Sequence, residues 1–223
     1  MLTRCSYLDC LNQYKIESTD KVKSYLVNEF CPQCHRLSRA KPVEIIDKLM
    51  SKEKFFSKAD NTNDLARKNG QFYALLEDIR SLWNVGSMFR TADAADISRL
   101  YLSGITGCPP SKEISKTALG AEQTLFWRYI YSPLNIIPAL KELGMLILGL
   151  ERNEKSVHLV SLLKNKIIKK PVCLIVGNEN AGLSPEVMAY CDYICDLPMK
   201  GSKESLNVAS AFAVAAYFIN EFT

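Results

Sequence analysis

An apolar segment that runs directly into a glycine-bearing polar loop is the feature that most constrains this chain. Residues 171–178, "PVCLIVGN", predict a buried strand, and residues 184–191, "SPEVMAYC", predict a helix. The loop between them carries Gly177 and Gly182. A strand, a polar loop and a helix in this order are typical of an α/β fold, in which ligands bind beyond the carboxyl ends of the strands.

The same alternation extends over the chain from residue 71. Further strand-like segments are 71–78, 99–104, 145–151 and 193–199, and further helical ones are 84–96, 132–144, 156–165 and 205–222. The strands are nearly continuously apolar, which is typical of strands covered on both faces. We therefore predict an α/β domain with a mostly parallel sheet and helices on both faces.

The chain before residue 71 has a different character. Residues 1–40 lack long apolar runs and hold four of the eight cysteines. Residues 41–70 are charged, with apolar residues at helical spacing between 45 and 50 and a polar stretch at 59–64. The sequence thus predicts a cysteine module at 1–40, a helix and linker at 41–70, and the α/β domain at 71–223.

Composition limits the classes of function only weakly. The chain is 48% hydrophobic and 23% charged, which is ordinary for a globular protein. Its net charge of +4 permits a polyanionic partner without requiring one. The N-terminus has no apolar core of a signal peptide, and no run reaches the roughly 18 apolar residues of a membrane span. We therefore expect a cytoplasmic protein with no membrane association.

The loop from Gly177 to Gly182 excludes the common nucleotide-binding turns. It has no following Gly-Lys-Ser/Thr, and the Gly-x-Gly-x-x-Gly spacing is absent. A ligand there must be held without a phosphate cradle, and Glu179 offers an acceptor for a hydroxyl or an amine. The alternative is a turn that glycine shapes for packing alone.

Two other segments carry polar residues next to predicted helices. "NVGSMFRTADA" holds Asn84 and Arg90, and "LPMKGSKESLNVASA" holds Ser205 and Asn207. Each segment alone permits a structural interpretation, because the arginine could be solvated and the serine and asparagine could cap the following helix.

In this order, these segments and "LIVGNENAGLSPEV" resemble the three motifs of the SpoU branch of the SPOUT RNA methyltransferases. "KTALGAEQTLFWRY" resembles the segment that connects the first two, so the resemblance covers about residues 71–222. It implies a C-terminal deep trefoil knot that binds S-adenosylmethionine, a homodimer, and methyl transfer to a ribose 2′-oxygen of tRNA or rRNA. A SPOUT-like RNA-binding protein without catalysis and a SPOUT base methyltransferase are the alternatives.

The resemblance also implies roles for individual residues. The methyl donor would be held by Leu150, Gly177, Leu197 and Leu206. Arg90 would be the catalytic residue, and the residues that position it, the RNA and the donor would be Asn84, Glu179, Ser205 and Asn207. An arginine pKa above about 12 favours stabilisation of a developing alkoxide by Arg90 over proton acceptance. Ala209 stands where the family commonly has serine, so one contact to the donor could be missing.

The N-terminal cysteines form two close pairs, Cys5 with Cys10 and Cys31 with Cys34. Four thiolates suit tetrahedral Zn²⁺, and two pairs are typical of a zinc ribbon. A metal would also explain how about 40 residues fold with little core. The alternative is a small helical extension with free cysteines.

Basic residues accompany these cysteines and suggest a surface that grips an RNA backbone, with a solvated basic surface as the alternative. They are Lys15, Lys21, Lys23, Arg36, Arg39 and Lys41. The other four cysteines are scattered and are expected to pack in the core. We interpret His158 as an ordinary helix residue.

Overall fold

The computed structural model describes residues 2–5, 10, 13–15, 27–41, 43–57 and 71–223. The linker predicted at 59–64, together with Lys21 and Lys23, lies outside these residues. In the described part of the chain, none of the helices is long and apolar enough to cross a bilayer.

Eleven strands and eight α-helices are formed by the described residues. The strands are β1 Leu2–Arg4, β2 Gln13–Lys15, β3 Val27–Phe30, β4 Leu37–Ala40, β5 Phe72–Glu77, β6 Arg99–Ser103, β7 Trp127–Ile130, β8 Leu146–Leu150, β9 Val157–His158, β10 Val172–Val176 and β11 Tyr193–Asp196. The helices are α1 Val43–Met50, α2 Leu82–Ala94, α3 Lys112–Ala118, α4 Ala121–Thr124, α5 Ile137–Glu142, α6 Leu159–Lys164, α7 Pro185–Tyr190 and α8 Val208–Phe222.

One seven-stranded sheet organises the chain from residue 71, and each of its strand pairs is parallel. The strand order is β7-β6-β5-β10-β8-β11-β9. At the centre, Val176 at the end of β10 is paired with Leu76 of β5 on one side and Leu150 of β8 on the other. The carboxyl ends of the central strands therefore meet at one edge, as the apolar runs predicted.

Helices cover both faces of this sheet. Phe72, Ala74 and Leu76 of β5 join a core that includes residues of α2, α3, α6 and α8. The alternate residues Tyr73 and Leu75 join a second core with residues of α5 and α7. The period of two along a strand thus supplies two apolar faces from one short segment, and the predicted α/β architecture is confirmed.

Two predicted helices differ from the observed elements. The segment 132–144 forms a 3₁₀ turn over Pro133–Asn135 and then α5, because Pro138 lacks the N–H that a continuous helix needs there. The segment 156–165 begins with β9, which pairs with β11, before α6 starts. The interpretation of His158 as a helix residue is therefore wrong: it ends β9, and its Nδ1 contacts Asp196.

The N-terminal part contains two antiparallel hairpins, β1–β2 and β3–β4, followed by α1. The cysteine pairs lie in the segments that connect the strands of each hairpin. Cys5 and Cys31 are buried and pack with Leu134 of the 3₁₀ turn. The amphipathic helix predicted around residues 45–50 is confirmed as α1.

Candidate functional site

A cleft of about 730 Å³ lies at the carboxyl ends of β8, β10 and β11. The three polar segments singled out in the sequence do not contribute equally to its walls. The second and third segments line it directly, and the first is joined to it by the hydrogen bond from Asn84 to Glu179. The four residues assigned to a methyl donor all line the cleft: Leu150, Gly177, Leu197 and Leu206.

The loop after β10 is wound tightly around Asn178. The Oδ1 atom of Asn178 accepts the backbone N–H groups of residues 180 and 181 at 3.0 and 2.9 Å. The Nδ2 atom of Asn178 donates to the Asp78 carbonyl at 2.7 Å. Asn178 and Gly182 also exchange two backbone hydrogen bonds. A Cβ at Gly177 would lie 2.4 Å from the backbone of Gly182, so the loop closes only with glycine at 177.

Glu179 joins this loop to the start of α2. Its carboxylate accepts the backbone N–H of Arg80 at 2.9 Å and of Ser81 at 3.1 Å, and the side-chain amide of Asn84 at 3.1 Å. Burial opposes its charge, but the hydrogen bonds from Arg80, its own N–H, Ser81 and Asn84 outweigh burial and lower the pKa of Glu179. The carboxylate is therefore a fixed negative charge at a helix N-terminus.

Asn207 extends the connection to the third segment. Its Nδ2 donates to Asn84 Oδ1 at 3.2 Å, while its Oδ1 accepts the N–H of Ala209 at 2.9 Å and caps α8. Capping and a site contact, weighed as alternatives in the sequence, are both present. The chain of contacts from Glu179 through Asn84 to Asn207 joins residues that are far apart in sequence.

The remaining assigned residues are placed differently from one another. Ser205 lines the cleft. Arg90 lies in α2, six residues after Asn84 and so about 9 Å along the helix axis, with an exposed side chain outside the cleft lining. Ala209 is buried in the core rather than on the cleft wall. Within one chain, the structure brings the other assigned residues together but leaves Arg90 apart.

Among the described residues, the lining of the cleft carries more carboxylates than cations. One arginine, Arg152, lines it, against five carboxylate side chains: Glu151, Glu154, Glu179, Asp196 and Glu204. The sequence did not single out Glu151, whose Oε2 accepts the N–H of Leu183 at 2.8 Å. Its position directly after an apolar strand was the available signal. Carboxylates in a half-enclosed cleft favour a cationic ligand.

The four N-terminal cysteines converge as their spacing predicted. Their Sγ atoms all lie within 4.8 Å of one another, with Cys5–Cys34 and Cys10–Cys31 each at 3.7 Å. The two separations of 3.7 Å are far too long for disulfides and match the edge of about 3.8 Å of a tetrahedron with Zn–S bonds near 2.3 Å. Burial opposes the thiolate of Cys34, but hydrogen bonds from the Arg36 backbone and side chain and from the neighbouring thiols lower its pKa to about 6.

The predicted basic surface on this module loses two of its members. Arg39 is fully buried, and Lys41 is largely covered beside Asp78. The interpretation of Arg39 and Lys41 as part of an exposed basic surface is wrong, because both side chains contact Asp78 of the α/β domain. Lys15 is exposed, and Arg36 is half-buried with its side chain hydrogen-bonded to Cys34.

Replacing Glu179 with glutamine is expected to lower stability by about 1 kcal/mol at neutral pH, because the amide loses charge-assisted hydrogen bonds at a half-exposed position. The pKa of Glu179 is lowered in the folded state, so its contribution is present above the unfolded pKa and is lost as pH falls through the folded pKa. Thermal unfolding between pH 7 and 3 measures this. The gap between wild type and Glu179→Gln should close in acid, and exposed Glu142→Gln is the control. A gap independent of pH would contradict the assignment.

Comparison with known proteins gives one family over most of the chain. The model of the SpoU rRNA Methylase family matches residues 71–217. A 23S rRNA (guanosine-2′-O-)-methyltransferase of Pseudomonas aeruginosa is 26% identical over 65% of this chain and 56% of its own length. A tRNA (guanosine(18)-2′-O)-methyltransferase of Escherichia coli is 26% identical over 69% of this chain and 64% of its own length. The chain thus spans less than two thirds of the length of these curated relatives.

Solved structures show the same architecture. An AdoMet-bound rRNA methyltransferase from Sinorhizobium meliloti has a TM-score of 0.62 and 28% identity, covering 68% of this chain and 56% of that chain. The SpoU methyltransferase AviRb from Streptomyces viridochromogenes, in complex with AdoMet, has a TM-score of 0.62 and 22% identity, covering 83% of this chain and 67% of that chain. The second likeness concerns the fold alone.

Proposed function

Because the chain belongs to the SpoU rRNA Methylase family, we propose that it transfers a methyl group from S-adenosylmethionine to a ribose 2′-hydroxyl of tRNA or rRNA. The observation that carries the proposal is the cleft, where Gly177, Leu197 and Leu206 meet over a wall rich in carboxylates. Homologous proteins are named as 2′-O-methyltransferases of both RNA classes. We assign the enzyme to the cytoplasm as part of the same proposal.

The residues present fit the proposed methyl donor. The volume of about 730 Å³ falls in the range of small-molecule sites, roughly 300–1,000 Å³. Leu150, Leu197 and Leu206 offer apolar surface to a nucleoside, and the backbone at Gly177 is open to close approach. The acidic lining suits a sulfonium cation, and the loop has no cradle for a phosphate that this ligand lacks. When bound, the donor supplies an electrophilic methyl group.

Arg90 would complete the site from a second copy of the chain. It projects from α2 outside its own cleft, so its predicted role requires a homodimer in which it approaches the partner's donor. Large apolar side chains on one face of α8 are exposed and offer an interface: Val214, Tyr217, Phe218 and Phe222. In this arrangement the guanidinium orients the RNA and stabilises the developing alkoxide.

Arg90→Lys is expected to lower methyl transfer about 100-fold, because lysine keeps the charge but loses the planar fork. Transfer of radiolabelled methyl groups to unmodified tRNA and rRNA measures this, with nuclease mapping of the 2′-O-methyl nucleotide. Donor affinity should be unchanged. Wild-type transfer rates in the variant would remove Arg90 from its role, and methylation of a base would replace the proposed chemistry.

A mixing experiment tests the shared site. Inactive Arg90→Lys and a donor-binding mutant such as Gly177→Ala are refolded at equal amounts. Half of the dimers are then heterodimers with one intact composite site each, so about a quarter of the wild-type activity should return. If each chain carried a complete site, the mixture would stay inactive.

We further propose that the four cysteines bind a structural Zn²⁺ and that the carboxyl-terminal chain path is knotted. The sulfur separations support the metal. The strand order supports the knot. The short segment 151–156 joins β8 to β9, and β11 lies between these two strands in the sheet. The chain that follows β11 must therefore leave the sheet past that segment. Exposed Lys15 lets the module contact RNA.

A further inference from the structure

Arg39 of the β3–β4 hairpin is buried against the loop that closes the cleft. Its Nη2 donates to the carbonyl oxygens of Ala181 and Gly182, both at 3.0 Å, and its Nη1 lies 3.5 Å from Asp78 Oδ2. Its side chain has no exposure to solvent. A residue of the cysteine module therefore holds the end of the loop whose beginning, at Gly177, forms the cleft wall.

The surroundings of Arg39 fix its position from several directions. Its backbone N–H donates to both oxygens of the Glu186 carboxylate at 3.2 and 2.9 Å. Asp78 Oδ1 accepts the N–H of Ile105 at 2.9 Å, and Lys41 Nζ lies 3.2 Å from Asp78 Oδ2. The cationic groups of Arg39 and Lys41 thus meet at the buried carboxylate of Asp78, while the Glu186 carboxylate holds the Arg39 backbone, so the guanidinium is held in one place.

The loop divides its backbone groups between two partners. The Asn178 side chain accepts the N–H groups of residues 180 and 181, and Arg39 donates to the carbonyl groups of residues 181 and 182. A guanidinium presents planar donors that reach two carbonyl oxygens at once, whereas an ammonium is a point charge. The shape of the loop between Gly177 and Gly182 therefore depends on Arg39 as well as on residues of the loop.

The cysteine site and Arg39 belong to one continuous hairpin. The backbone N–H of Cys31 donates to the Arg36 carbonyl at 3.1 Å, and the N–H of His35 donates to the Cys31 carbonyl at 2.9 Å. Strand β4 follows at once and pairs Phe30 with Leu37 and Asn28 with Arg39. Cys31 and Cys34 therefore lie in the turn that joins β3 to β4, and β4 carries Arg39 from that turn to the loop.

We propose that Arg39 is a positioning residue for binding of the methyl donor, and that the cysteine module sets donor affinity through it. The proposal rests on the proposed function, because it concerns the same cleft, and on a metal at the four cysteines. In this proposal the N-terminal module has a second role besides RNA contact, because Arg39 holds the loop from Gly177 to Gly182 in the conformation that binds the donor.

The first test compares Arg39→Lys with a matched variant of another buried arginine. Arg99 is equally buried, but it lies at the start of β6 beside Tyr101, away from the carboxyl ends of the strands. Arg39→Lys is expected to weaken binding of S-adenosylmethionine by calorimetry about tenfold, through loss of one of the two carbonyl contacts. The KM for the donor should rise by the same factor while kcat stays within about threefold of wild type.

Arg99→Lys separates this effect from a general loss of stability. It should lower the melting temperature as Arg39→Lys does, with donor affinity within about twofold of wild type. Equal donor affinity in both variants and in wild type would overturn the proposal. An equal fall of kcat and kcat/KM in Arg39→Lys would also overturn it, because that pattern belongs to a residue of the chemical step.

The second test uses the wild-type chain and holds even if Arg39→Lys does not fold. A chelator removes the metal, and hydrogen exchange of residues 177–183 is compared before and after, with β6 as the internal reference. Faster exchange at 177–183 with β6 unchanged, and donor affinity about tenfold weaker, support the coupling. Unchanged exchange and affinity, or a wild-type protein that holds no metal, overturn it. A wild-type protein that binds no donor before chelation instead contradicts the proposed function.

Discussion

Gly177→Ala is expected to lower the affinity for the methyl donor about 10³-fold. The loop must open to admit the added methyl group, and small displacements of binding groups greatly weaken binding. The added Cβ would lie 2.4 Å from the carbonyl carbon and oxygen of Gly182 and from the nitrogen of Leu183. These atoms are backbone, so no side-chain rotation can relieve the contact. Calorimetry with S-adenosylmethionine measures the loss, and methyl transfer should fall with it.

Gly144→Ala is the matched control for Gly177→Ala. Gly144 has a φ of +77° before β8, at the opposite end of the sheet, and nothing lies within 4 Å of its Cβ position. Alanine there should cost about 1 kcal/mol of stability through backbone strain and leave the donor affinity unchanged. If Gly177→Ala bound the donor as Gly144→Ala does, the loop would not form the donor site.

Cys31→Ser is expected to remove the metal and to lower stability by about 5 kcal/mol, part of the roughly 10–16 kcal/mol that structural zinc contributes to small domains. Cys31 is fully buried, and its Sγ is 3.7 Å from that of Cys10. For a chain of this size the loss corresponds to a melting temperature lower by about 10–20 °C. Metal content by mass spectrometry and thermal unfolding measure both effects.

Cys108→Ser is the matched control for Cys31→Ser. Cys108 is half-buried and does not belong to the sulfur cluster. Its variant should keep one metal per chain and most of the wild-type stability. Stoichiometric metal in Cys31→Ser, or none in the wild type, would contradict the zinc assignment.

The sequence predicted the parts of the site that local patterns determine. Apolar runs before Glu151 and Gly177 marked strand ends, and parallel strands bring such ends to one edge. The side chain of Asn207 was recognisable as a helix cap, and the structure adds its contact with Asn84 at 3.2 Å. Pro138 could have predicted the break in the helix expected at 132–144, since a proline removes a backbone donor.

Other features depend on partners that no local pattern reveals. Arg39 resembles any charged strand residue, because the carbonyl groups that its side chain contacts, of Ala181 and Gly182, lie 142 and 143 positions away. His158 belongs to a strand of two residues, too short for a period to show. Arg90 follows Asn84 along one helix and was grouped with it, but six residues rotate a side chain to a different face.

Because Asn84 contacts Asn207, donor binding requires that both the first and the last segments of the α/β domain are folded. The two residues are 123 positions apart, and the later one begins α8. A partly folded chain with β5, β6 and β7 in place would lack the opposite wall and would have no affinity for the donor. A saturating donor should therefore raise the melting temperature of the whole chain. At a donor concentration 100 times its Kd, the free energy of unfolding should rise by about 2.7 kcal/mol.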